Sequence, residues 1–136
     1  MNKRIAIVVL LVVCLAAGLT GCARRQASGT DVAAPAKAFV ELLTKGDFDA
    51  ATKGFDPTMK QGMSPQQLKN AWTALTTQVG AFQSQVGART ATEQGFDAAY
   101  VTCKFAMANM DVKVVFDRQK RISGLWFVPP QPAPAK

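Results

Sequence analysis

The 136-residue chain contains no histidine. That absence removes Ser-His-Asp and Cys-His nucleophilic arrangements, His-ligated zinc, and the general base most used near neutral pH. There is no Gly-rich phosphate loop, no nucleophile elbow and no metalloprotease helix motif. Tyrosine occurs once, at Tyr100, and cysteine at Cys14, Cys22 and Cys103 only. The first two fall in or at the end of an N-terminal leader, so no disulfide framework forms within the domain. Cys103 is expected to be a buried, small apolar residue. Positive charge is in excess, at a formal +7, but it is not concentrated. Two of those charges, Lys3 and Arg4, lie at the extreme N-terminus, and the others are scattered without interleaved aromatics. Nucleic acid is therefore not expected as a partner.

What is present begins with an address. Lys3 and Arg4 form a positive n-region, and Ile5 to Gly18 is uncharged and apolar. The run is shorter than the roughly 20 residues that span a bilayer, which favours a cleaved leader over a stable anchor. Leu19-Thr20-Gly21-Cys22 follows directly. This tetrapeptide resembles a bacterial lipobox, cut by signal peptidase II before a lipid-modified cysteine. The resemblance implies recognition at Leu19, Thr20 and Gly21, and diacylglyceryl attachment at Cys22. Two or three acyl chains at about 0.8 kcal/mol per buried methylene would hold the chain on a membrane permanently. Ala23 is not the Asp that retains Gram-negative lipoproteins at the inner membrane. The expected location is thus the outer membrane facing the periplasm, or the outer face of the plasma membrane in a Gram-positive cell.

The boundaries follow from composition: a signal peptide at 1–21, a lipidated Cys and polar linker at 22–31, one domain at 32–130, and a Pro-rich tail at 131–136. Within the domain the apolar period changes once, from helical to alternating. Phe39, Leu42 and Leu43 share a helical face that Gly46 ends. Asp47 caps a short second helix, and Asp56-Pro57 marks a break or a fresh start. Ser64-Pro65 opens a helix carrying Leu68, Trp72, Leu75 and Val79. Strands are expected at 82–92, 96–108, 112–116 and 121–128. Val101, Cys103, Phe105 and Met107 take one face of the second strand, and Tyr100, Thr102 and Lys104 the other. The fold class is α+β: about three N-terminal helices packed on a curved four-stranded antiparallel sheet.

That order resembles the cystatin-like fold of the nuclear transport factor 2 superfamily. Phe39 to Phe48, the Ser64-to-Gly80 helix with Trp72, and Val115 to Leu125 resemble a bacterial domain family of unknown function within it. The resemblance spans about residues 33–130. It implies an exported domain, of a kind also found joined to α/β-hydrolases, although this chain has no room for a hydrolase as well. Members of that family usually have Gly where Gln119 stands, so the last turn is expected to differ locally.

Candidate chemistry is sparse. The carboxylates Asp47, Asp49, Asp56, Glu93, Asp97, Asp111 and Asp117 fall at helix starts, strand ends or turns, where capping and turn roles are ordinary. An isomerase-like site would need an Asp base and a Tyr in one apolar cavity. Phe39, Trp72, Cys103 and Phe105 would line a helix–sheet cavity, and Tyr100 has the parity that points away from it. Cys103, Met107 and Met110 carry soft-metal ligand types, but four residues of strand span about 13 Å, so Cys103 and Met107 cannot share one ion. No metal or other cofactor is expected. Tyr100, Val115, Leu125 and Phe127 have parity opposite to Cys103, Val114, Ile122 and Trp126. They would form a second apolar face for a homodimer or an envelope partner, including a hydrolase, unless curvature buries both faces or the register is shifted by one. The chain thus reads as a lipid-anchored binding or accessory protein taking a protein partner or a small apolar ligand. The alternatives are a small Asp/Tyr enzyme or a purely structural surface lipoprotein.

Overall fold

The computed structural model describes residues 31–132. Leu19, Thr20, Gly21 and Cys22, the leader around them and residues 133–136 lie outside the described residues. The elements run α1 (Ala33–Lys45), α2 (Phe48–Lys53), α3 (Pro57–Gly62), α4 (Pro65–Val79), β1 (Phe82–Glu93), β2 (Phe96–Phe105), β3 (Asn109–Phe116) and β4 (Ile122–Val128). The strands form one antiparallel sheet in the order β1-β2-β3-β4. Among the described residues the fold is α+β, with four helices rather than about three: Asp56-Pro57 is a fresh start. Asp56 caps α3 by accepting the Met59 N–H at 2.7 Å. Asp47 caps α2 in the same way, and Ser64 and Gln67 form a reciprocal capping box on α4.

The core lies between the helices and one sheet face. Ala36, Phe39, Val40 and Leu43 of α1 and Leu68, Trp72 and Leu75 of α4 meet Val101, Cys103, Phe105, Val112, Val114 and Phe116. Trp72 anchors an aromatic cluster, with ring centroids 5.8 Å from Phe105, 6.3 Å from Phe82 and 6.1 Å from Phe127. Met107 does not join this row. β2 ends at Phe105, the chain bends, and Met107 is 70 % exposed.

Strand β4 departs from simple alternation. Phe116 pairs with Ile122 but Val115 pairs with Gly124, so Ser123 is an extra residue without a cross-strand partner. One inserted residue exchanges the faces of everything beyond it. Ile122 faces the helices, and after the bulge Leu125 and Phe127 also face them, packed against the core. Trp126 is turned to the outer face and is 51 % exposed. The four residues expected to share an association face are thus split: Tyr100 and Val115 are outside, Leu125 and Phe127 inside. Gly124 is required where it stands. A Cβ there would collide with the Cζ3–Cη2 edge of the Trp126 indole, which lies along the strand over it.

The start of β4 is tied to the chain before α3. Asp56 N–H donates to the Ile122 carbonyl and Ile122 N–H to the Gly54 carbonyl, both at 2.8 Å. This bridge brings Asp56 and Thr58 to the outer rim of the sheet. In the β3–β4 turn the left-handed residue is Lys120, with φ of 62°, and Gln119 does not take that conformation. β1 holds two register shifts, and Val86 at the second is 61 % exposed.

The bulge makes opposite demands at adjacent positions. Leu125→Asp should lower unfolding free energy by about 2 kcal/mol, because it sets a carboxylate against the core where the partly buried Leu125 packs. Trp126→Ala should cost less than about 1 kcal/mol. Urea denaturation of the two variants beside wild type checks both, and equal costs would place the bulge elsewhere.

Candidate functional site

The outer sheet face is built by the register. Arg89 lies opposite Tyr100, Tyr100 opposite Lys113, and Lys113 opposite Trp126, one row across all four strands. The Arg89 guanidinium carbon lies 3.7 Å from the Tyr100 ring centroid and the Lys113 ammonium 5.3 Å from it. Tyr100 is therefore only 7 % exposed although it points away from the helices. Cationic side chains, not curvature or a second subunit, cover its ring.

The row ends in charge. The Lys113 ammonium donates to Glu93 Oε2 at 2.5 Å, and the Tyr100 hydroxyl donates to Glu93 Oε1. The Lys113 contact, then the Tyr100 contact, hold the Glu93 carboxyl below its ordinary range. The Glu93 contact in turn raises the Lys113 ammonium above its ordinary value. One register step away, Asp111 is 1 % exposed. It accepts from Thr102 Oγ1 at 2.7 Å, Arg89 Nη2 at 3.2 Å and the Gln131 N–H at 3.4 Å. A buried carboxylate needs such partners, and here they lock β1, β2, β3 and the start of the tail together.

Above this network is a recess of about 440 Å³. Phe96, Val115 and Trp126 supply its apolar wall. Glu93 and Lys113 belong to its floor, and Asp56, Thr58, Gln94 and Ser123 to its rim. Phe96 is 44 % exposed beside the β1–β2 turn, where Gln94 and Gly95 both have positive φ, as a two-residue type I′ hairpin requires. The Lys113 ammonium lies 5.5 Å from the Trp126 ring centroid. Among the described residues no group of three or more Cys, Asp or Glu is placed to hold a metal ion.

The residues expected to line a cavity beneath the helices are buried. Phe39 is 3 % exposed, Trp72 8 %, Cys103 0 % and Phe105 2 %. Burial, and then the nearby Asp111 charge, push the Cys103 thiol up to about 12, so it is inert at neutral pH. A shallow recess of about 210 Å³ between α1, α2 and the β3–β4 end reaches Phe39 but none of the other three. Two of the sequence-weighed carboxylates, Glu93 and Asp56, do meet at the outer recess. Sequence reasoning did not pair them with Lys113, Phe96 and Trp126. The parity shared by Arg89 and Glu93 on one strand, and by Asp111 and Lys113 on another, was the available signal.

Residues 36–125 match the family described as Protein of unknown function (DUF3887). The chain belongs to this family. The DUF3887 segment contains the whole row from Arg89 to Lys113 and ends one residue before Trp126. The chain is also 28% identical over 89 residues to Esterase EstD of Thermotoga maritima. That region is 65% of this chain but spans only 22% of the length of the relative. No solved structure matches the chain.

The Glu93–Lys113 pair should write a window into the pH dependence of stability. Glu93, lowered on folding, contributes above its unfolded value near 4.3 and loses that contribution as pH falls through its folded value. Lys113, raised on folding, contributes below its unfolded value near 10.4 and loses it as pH rises through its folded value. The stability gap between wild type and Glu93→Gln should therefore be flat near neutrality and close at both extremes. Denaturation of both proteins across pH checks this, and a gap independent of pH would show that the pair contributes nothing.

Proposed function

We propose that this DUF3887 chain is a lipid-anchored binding module of the bacterial cell envelope. Cys22 is its tether, and the outer sheet face is its recognition surface. The observation that carries the reading is the recess flanked by half-exposed Trp126 and Phe96 above the Glu93–Lys113–Tyr100 network. Exposed aromatics beside a prearranged polar floor are what a recognition site needs and what a purely structural lipoprotein does not. The tether rests on Leu19-Thr20-Gly21-Cys22 after an apolar run. Helices packed on one face of a single antiparallel sheet support the cystatin-like, nuclear transport factor 2-like frame.

Binding is favoured over catalysis by the state of the polar groups. Both Glu93 oxygens already accept hydrogen bonds, and its lowered pKa makes it a weak base. The raised Lys113 is a poor proton donor and no nucleophile at neutral pH. Tyr100 is covered by Arg89 and Lys113. The relative named an esterase, in which the matched region is a minor part, supports a specific version: a module that serves beside an ester-cleaving enzyme. Dimerisation through Tyr100, Val115, Leu125 and Phe127 is not retained, because the bulge separates them.

Two arms test this in cells. Cys22→Ala should abolish acyl labelling and leave the precursor uncleaved before residue 22. A photo-crosslinking residue at Phe96 should yield adducts that Trp126→Ala suppresses, while one at exposed Thr73 on α4 should not. Acyl labelling or normal cleavage of Cys22→Ala, or adducts from Thr73 equal to those from Phe96, would contradict the proposal.

A further inference from the structure

We propose that the outer recess is a carbohydrate-binding site that takes a neutral sugar unit, with Trp126 as the ring contact and the Glu93–Lys113 floor and its rim as hydroxyl partners. The inference rests on the reading of this face as the recognition surface and names its ligand class.

The lining chemistry decides among ligands. The recess, at about 440 Å³, is within the range of about 300–1,000 Å³ common for small-molecule sites. An acyl chain or other wholly apolar ligand would strip water from Asp56, Glu93 and Lys113 without replacing its hydrogen bonds, which is costly. An anion would meet two carboxylates against one ammonium, and that ammonium is already paired with Glu93. An extended peptide needs backbone partners, but the recess lies over the sheet face, where the ladder bonds of β2 and β3 are satisfied. The start of the β4 edge is taken by the Phe55–Asp56 segment.

A neutral sugar fits what remains. Its C–H patches suit an indole face, whose π-cloud is negative, and its hydroxyls both donate and accept. The site offers both senses. One Lys113 N–H bonds Glu93, leaving further donors on the ammonium. Glu93 has two of about four lone-pair positions in use, and Asp56 gives one oxygen to the Met59 N–H. Thr58 and Gln94, both exposed, have no side-chain hydrogen bond among the described residues. The aromatic contact is preorganised, since the absence of a Cβ at Gly124 lets the indole settle along the strand. Preorganisation is what lets a small, shallow site hold a polar ligand against water.

The full chain, purified in a zwitterionic detergent free of sugar headgroups, should be titrated with triacetylchitotriose, cellotriose and maltotriose. The readout is the Trp126 indole N–H resonance, with Trp72 as the internal control. At least one trisaccharide should give a saturable shift of Trp126 with a Kd of about 1 mM or tighter. In the variants, which lack that resonance, the backbone amide shifts of Val115 and Gly124 replace it: Trp126→Ala should weaken binding about tenfold and Trp126→Phe should keep most of it, with circular dichroism unchanged in both. No saturation by about 10 mM with any of the three, or equal affinity in Trp126→Ala, would overturn the inference. So would a larger Trp126-dependent shift with oleate, with inorganic phosphate or with an unstructured peptide. Were Trp126-dependent crosslinking from Phe96 to persist in cells beside such a result, the recognition surface would stand and only the ligand class would fall.

Discussion

A single extra residue in β4 organises this molecule. Without the bulge, with Ser123 paired in register, alternation from Ile122 would send Gly124 and Trp126 into the core and Leu125 and Phe127 to solvent. With it, Phe127 closes on Trp72, Leu125 joins the packed face, and Trp126 stands outside over Gly124. The bulge therefore completes the hydrophobic core and supplies the aromatic wall of the recess in one step. The cost is small, since the displaced Ser123 hydroxyl still reaches the Val115 carbonyl at 3.4 Å.

The rest of the outer face follows from cross-strand pairing. A guanidinium on Tyr100, an ammonium between two aromatic rings and a carboxylate beside the turn are ordinary neighbours on an antiparallel sheet. Their combination is less ordinary, because it converts an apolar row into a satisfied polar one. Among the described residues no buried side-chain nitrogen or oxygen lacks a partner. The face opposite the helices is thus finished in itself, and what it leaves open is a recess with exposed aromatic sides.

Much of the fold was legible. The capping residues Asp47 and Ser64, the helical spacing of Leu68, Trp72 and Leu75, and the alternation of Val101, Cys103 and Phe105 are local signals, and each element stands where they put it. Asp56-Pro57 was legible as punctuation, and only the tertiary bridge to Ile122 makes it the start of α3 at the sheet rim. The site was far less legible. A bulge depends on pairing between strands, so no period-two reading of β4 alone reveals that Leu125 and Trp126 exchange faces. Glu93, Lys113 and Tyr100 are separated in sequence and meet only through register. Met107 failed for a simpler reason, as the strand ended two residues earlier than its apolar pattern did.

The central claim is that the β4 bulge puts Trp126 on the recognition face and Phe127 in the core. Nuclear Overhauser contacts test it most directly. The account predicts contacts from the Trp126 indole to Gly124 and the Lys113 side chain, and from the Phe127 ring to Trp72. Contacts from the Trp126 indole to Trp72 and Phe105 would contradict it, since they would restore unbroken alternation and remove the wall on which the recess depends.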